Sequence, residues 1–169
     1  MRTRRLAVWG ASLVAVPALA AMYLFAGEAV SVPAPEPKAK AQRMCAELLD
    51  AVPDSVAGGK RRETDPSSPY TAAWGDPAMV LRCGVVPSKE MDNPRAPGGE
   101  IGGVGWMLEN LPDGGHRCTT TLRKTYVEVT IPAKYGDVGA LMDLAEAIKK
   151  TVPEGLAPGR SMRAPALPG

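Results

Sequence analysis

Histidine, cysteine and large rings are scarce in this chain of 169 residues, which carries one His, three Cys, three Trp, four Tyr and one Phe. One His and three Cys leave no zinc finger, no Cys-x-x-Cys pair and no His-rich metal site, so neither a metal nor another cofactor is expected. Charge of one sign is not in excess either, with 20 Lys+Arg against 18 Asp+Glu. A nucleic-acid binder would show a strong basic surplus, so nucleic acid is not an expected partner. Reactive signatures are missing too. There is no Gly-x-Ser-x-Gly elbow. The pairs Gly98-Gly99 and Gly102-Gly103 lack a following Gly-Lys-Ser/Thr and read as bends or a bulge. The length suits one domain of ordinary size.

One long uncharged run is present. Arg2, Arg4 and Arg5 precede it, it extends from Leu6 to Gly27, and Glu28 ends it. Leu6 to Ala26 would make about 32 Å of helix, enough for a hydrocarbon core of roughly 30 Å. The run has no polar face, Trp9 and Tyr23 lie near its ends, and Pro17 is tolerable in a membrane helix. The expectation is a single-pass anchor over 6–27, with residues 1–5 cytoplasmic and the rest extracytoplasmic. The membrane is thus the first expected partner. The alternative is a cleaved signal peptide and a secreted product, because Ala18-Leu19-Ala20 has the small-x-small form of a cleavage site. No Cys closes the run, which argues against a lipid-modified Cys. Setting aside the three leading Arg leaves 17 basic and 18 acidic residues, so nothing steers the exported part toward anionic surfaces.

Prolines then mark out the exported part. Residues 28–40 include Val32-Pro33-Ala34-Pro35-Glu36-Pro37 and read as a semi-rigid spacer. Residues 153–169, rich in Pro and Gly, read as a disordered tail. The folded domain is expected over 41–152. Ala41, Met44, Cys45, Leu48 and Val52 share one helical face, and Pro53 stops that helix. A second helix carries Val138, Leu141, Met142, Ala145, Ile148 and Val152, with Asp137 as N-cap and Pro153 as stop. Between the helices the period changes to two. Met79, Leu81, Cys83 and Val85 form one alternating set, and Val127, Val129 and Ile131 form another. Ile101–Leu108 and His116–Leu122 are weaker strand candidates. Arg123-Lys124 is a poor turn, so the last two strands could be one. The expected fold is α+β: an N-terminal transmembrane helix, then a small antiparallel sheet of three or four strands packed with two helices.

Only Tyr70, Trp74, Trp106, Tyr126 and Tyr135 supply rings outside the anchor. A core so poor in rings gains from a disulfide in an oxidising compartment. Three Cys allow three pairings. The favoured one is Cys45–Cys83, a helix core face meeting a strand core face, worth roughly 4 kcal/mol on the loop-entropy model. Cys118 is then left over, as a buried small apolar side chain or, alternatively, as an exchanging thiol.

Several stretches carry a resemblance. They are Cys45-Ala46-Glu47-Leu48, Trp74-Gly75-Asp76-Pro77 leading to Leu81-Arg82-Cys83-Gly84, Gly103-Val104-Gly105-Trp106, Tyr126 to Pro132, and Ala140 to Ala145. Together they resemble domain-of-unknown-function family 3515, a family of membrane-anchored or lipid-anchored envelope proteins, over roughly Met44 to Pro153. The resemblance implies that Cys45 and Cys83 are the family's pair. The chain departs from the pattern at Gly102, where members usually carry Asn, and at Cys118, where an aromatic is usual. No activity comes with the resemblance.

Candidate binding residues are Trp74, Asp76, Arg82 and Trp106. Trp74 is a possible rigid anchor. The structural alternative packs Trp74 on the sheet and has Asp76 cap a turn. For acid–base chemistry the candidates are Asp76, Glu128 and His116, although a lone His is usually incidental and Glu128 belongs to a solvated strand face. Lys60-Arg61-Arg62 reads as a solvated loop or an anionic-polymer contact. The expected function is a non-catalytic module binding a protein or polymer of the envelope, and the alternative is an extracytoplasmic enzyme using carboxylates near Asp76.

Overall fold

A computed structural model describes residues 28–155. The expected cytoplasmic residues, the expected anchor over 6–27 and residues 156–169 of the expected tail lie outside them. Among the described residues no helix is long and apolar enough to cross a membrane. The two helices found, of 13 and 15 residues, are too short for the purpose and amphipathic. The expected fold is corrected to that extent: the described domain contains no transmembrane helix.

The expected sheet is also corrected. Instead of three or four strands the described residues hold ten, in two sheets, and are mostly sheet with two helices. In chain order the elements are β1 (Val30–Ser31), α1 (Ala39–Ala51), β2 (Ser55–Val56), β3 (Gly59–Arg62), β4 (Thr64–Asp65) and β5 (Thr71–Trp74). After these come β6 (Met79–Cys83), a short 3₁₀ turn (Lys89–Asp92), β7 (Gly98–Ile101), β8 (Val104–Asn110), β9 (His116–Thr120), β10 (Val127–Ile131) and α2 (Asp137–Thr151). The main sheet has eight strands in the order β2-β3-β5-β6-β10-β9-β8-β7, with every pair antiparallel. It is two four-stranded meanders joined at the β6–β10 seam. β1 and β4 form a separate parallel pair.

β6 and β10 alternate as their sequences require. Met79, Leu81 and Cys83 face the helices with Val127, Val129 and Ile131, while Arg82 pairs with Glu128 on the far face. The strands that were not expected lack that signal. All four residues of β5 are buried, so Thr71-Ala72-Ala73-Trp74 shows no alternation. β3 holds the basic triplet Lys60-Arg61-Arg62, and β7 is an exposed, Gly-rich edge.

α1 buries Cys45 and Leu48, and Cys45 is bonded to Cys83 with their Cα atoms 5.4 Å apart. That separation is well inside the reach of a disulfide. The bond ties α1 to the middle of the sheet. α2 buries Ala140, Leu141, Leu144, Ala145, Ala147 and Ile148, and leaves Val138 (63 % exposed) and Met142 (51 % exposed) outside. The core stripe is thus rotated from the expected one. Asp137 is the first helical residue rather than the N-cap, a place held by Gly136.

The connection from β9 to β10 is not a continuous strand. Arg123 lies buried within it, donating to Val152 O at 3.1 Å and Gly103 O at 3.0 Å, so one guanidinium stitches the end of α2 to the β7–β8 turn. Multiple carbonyl partners make this burial tolerable.

The segment read as a spacer is packed onto the domain. Val30 N–H donates to Glu63 O and Val32 N–H to Asp65 O, both at 2.9 Å. Val32, Pro35 and Pro37 are buried, with Ala34 and Glu36 exposed between them. Arg82 Nε donates to Pro33 O at 3.1 Å.

Candidate functional site

Trp74 stands at the end of β5 and is fully buried on the helix-covered face. Its indole Nε1–H donates to Pro53 O at 2.9 Å, and the Arg61 guanidinium lies 5.0 Å from its ring centroid. Burial lowers the Arg61 pKa, opposed by Asp54 and Glu63. The basic triplet is therefore divided between faces. Arg61 stacks on the Trp74 ring from the solvent-exposed side, while Arg62, half-buried, donates to Gly75 O at 3.1 Å and Glu28 O at 2.6 Å.

Asp76 follows in the β5–β6 turn. Its backbone, not its carboxylate, is what the molecule holds. The Asp76 N–H donates to the Tyr135 hydroxyl at 3.0 Å, and Lys134 Nζ donates to Asp76 O at 2.6 Å. Gly75 has φ +73°, and a Cβ there would collide with the Tyr135 hydroxyl, so the turn requires glycine. The Asp76 carboxylate is 94 % exposed and lies 3.8 Å from Arg62. A carboxylate in open water has no pocket in which to act as acid or base.

Arg82 sits on the far face of the sheet. Besides holding Pro33 O, it pairs with Glu128 at 3.2 Å, and Arg117 reaches the same carboxylate at 3.6 Å. Glu128, expected on a solvated face, has a side chain only 12 % exposed and is spoken for by two arginines. Trp106 is buried on the helix side of β8, and its Nε1–H has no partner among the described residues. His116 Nδ1 lies 2.5 Å from Asp137 Oδ2, joining β9 to the start of α2. Cys118 is buried beneath this pair. Burial first, and Asp137 second, push its thiol up to about 12. A thiol so disposed is not an exchanging nucleophile. The proposed site residues are thus dispersed over both faces and do not converge. Among the described residues no group of three or more His, Cys, Asp or Glu could hold a metal ion.

The concavity lies elsewhere. β6 ends beside β10, but β7 is at the far edge of the sheet, so residues 84–97 must cross three strands. They do so on the face away from the helices, where Val85, Met91, Met107 and Tyr126 form a second small core. Between this crossing, the incoming segment and the start of β10 is a groove of about 380 Å³. Val85, Met91 and Tyr126 form its floor. Glu36, Lys38, Lys89 and Asp92 line it, and Val86 stands at its rim, 91 % exposed. Ser88 Oγ, in the groove lining, is buried without a hydrogen-bond partner. Sequence reasoning missed these residues. Their only signal is the apolar pair Val85-Val86 running past the strand end into Pro87.

These features define a disulfide-tied antiparallel-sheet domain with a loop-built groove, in which the described reactive side chains do not converge. The family model for the protein of unknown function DUF3515 matches residues 6–156, and the chain belongs to that family. No curated protein and no solved structure gives a match.

Proposed function

We propose that this protein is a non-catalytic interaction module of the cell envelope, exported to an oxidising compartment, which meets its partner at the groove. The carrying observation is Val86, an aliphatic side chain 91 % exposed at the rim of an apolar-floored groove of about 380 Å³. Exposed apolar surface against a concavity is what a partner covers. Export is supported by the Cys45–Cys83 disulfide, since such bonds persist outside reducing compartments. A binding role is supported further by how the reactive side chains are used. Arg82, Glu128 and Arg117 hold one another, His116 holds Asp137, and Cys118 is sealed in the core.

The test is a photo-crosslinking residue placed at position 86 in intact cells, with a control at the exposed Lys150 of α2. Adducts of defined mass from position 86 and none from position 150 are expected. Identical adducts from both positions, or none from position 86, would sink the reading.

A further inference from the structure

We infer that the groove is built for an extended, proline-bearing apolar peptide segment, a partner chemistry that rests on the groove being the interaction site. The molecule already holds one such segment next to it. Residues 32–37 lie on the sheet with Val32, Pro35 and Pro37 buried, and Arg82 grips the Pro33 carbonyl at 3.1 Å. Pro37 packs into the space left by Gly84, where φ is +84° and a Cβ would collide with the proline ring. The groove opens where that segment ends, with Glu36 and Lys38 in one wall and Val86 and Pro87 in the other. Proline suits such a place because it has no N–H to leave unpaired against an apolar wall, and the extended form is preset at low entropic cost.

Ser88 supplies the polar contact. It occupies the N-cap position of the 3₁₀ turn, yet its side chain makes no cap hydrogen bond and its Oγ is buried without a partner. Serine at such a position ordinarily spends its hydroxyl on the turn. Here the O–H is left to donate to a ligand carbonyl, the group that proline leaves free. The charges select against other occupants. Glu36 and Asp92 offset Lys38 and Lys89 in the groove lining, whereas a phosphate head group or an acidic peptide would call for a basic surplus.

The experiment is fluorescence anisotropy of the full chain with a labelled acetyl-Val-Pro-Ala-Pro-Leu-Pro-Ala-Pro amide. Palmitate and a Gly-Ser peptide of equal length serve as competitors. Saturable binding that neither competitor displaces is expected. Val86→Asp sets a charge against the ligand's apolar face and should weaken binding about tenfold or more. Ser88→Ala, lacking one neutral hydrogen bond, should weaken it about fivefold. Val138→Asp, on the exposed side of α2, should leave it unchanged. Absence of peptide binding, equal binding by Val86→Asp, or displacement by palmitate overturns the inference. If position 86 still crosslinks a neighbour in cells while the peptide does not bind, the interaction site stands and the peptide chemistry alone falls.

Discussion

The two faces of the eight-stranded sheet are covered in different ways. On one face two amphipathic helices pack their apolar stripes onto the buried side chains of the strands, and a disulfide fastens α1 at the β6–β10 seam. On the other face the described residues form no helical layer. A proline-bearing segment is held at β6, a crossing loop covers β8 to β10, and a row of charges, Arg82, Glu128 and Arg117, bridges the strands. Helices fill a face continuously, because their stripes match the spacing of a sheet surface. Loops and extended segments do not, and the groove is the space they fail to fill. The helix face therefore holds most of the stability, and the loop face holds the concavity.

The sharpest way to break this division is at Trp74. Trp74→Ala empties a fully buried site and orphans the Pro53 carbonyl, and should cost about 3–5 kcal/mol. A urea titration measures it directly. If the cost is below about 1 kcal/mol, Trp74 is not the core residue its burial makes it. Second in size is the disulfide. The Cys45→Ala, Cys83→Ala double variant should lose about 2–5 kcal/mol of stability. A thermal melt compared with the parent under oxidising conditions checks it, and equal melting temperatures would refute the claim.

Much of the helix face could be read from the chain, and little of the loop face could. Cys45 and Leu48 on α1, and the alternation in β6 and β10, obey single periods because each element buries one side against one layer. The stripe on α2 slips by a position: Ala140, Leu144 and Ala147 are buried, while Val138 and Met142 are left exposed. β5 escaped notice because all four of its residues are buried, which removes the polar half of the alternation. The spacer reading failed for the same reason. Prolines describe an extended chain equally well in water and on a sheet, and only Arg82 and Gly84, some fifty residues away, decide between them. The groove has no local signature beyond the Val85-Val86 pair, since Glu36, Ser88 and Tyr126 meet only through topology.

Cys118 sharpens the comparison from the helix side. The folded thiol, raised to about 12 by burial and then by Asp137, stays neutral where an unfolded thiol, near 8.5, ionises. The unfolded state therefore loses its proton first. Stability from this residue is fully present below about pH 8.5 and declines as pH rises toward 12. In the native chain at pH 8 a thiol-reactive probe should label Cys118 only on the timescale of global unfolding, and in urea at once. Rapid native labelling would place Cys118 outside the sealed core.

The smallest effect tests how the loop face is held. Arg82→Ala removes one donor to Pro33 O and one partner of Glu128, which keeps Arg117. The core should survive with a loss of only about 1 kcal/mol, because the helix-covered side is untouched. The consequence should be local. Amide exchange at Val30 and Val32, whose N–H groups pair with Glu63 and Asp65, should quicken about fivefold, while that of β10 stays as it was. An increase spread evenly over both regions would mean that the proline-bearing segment is an integral part of the core rather than a separable cover. The groove wall formed by Glu36 and Lys38 would then be as rigid as the sheet beneath it.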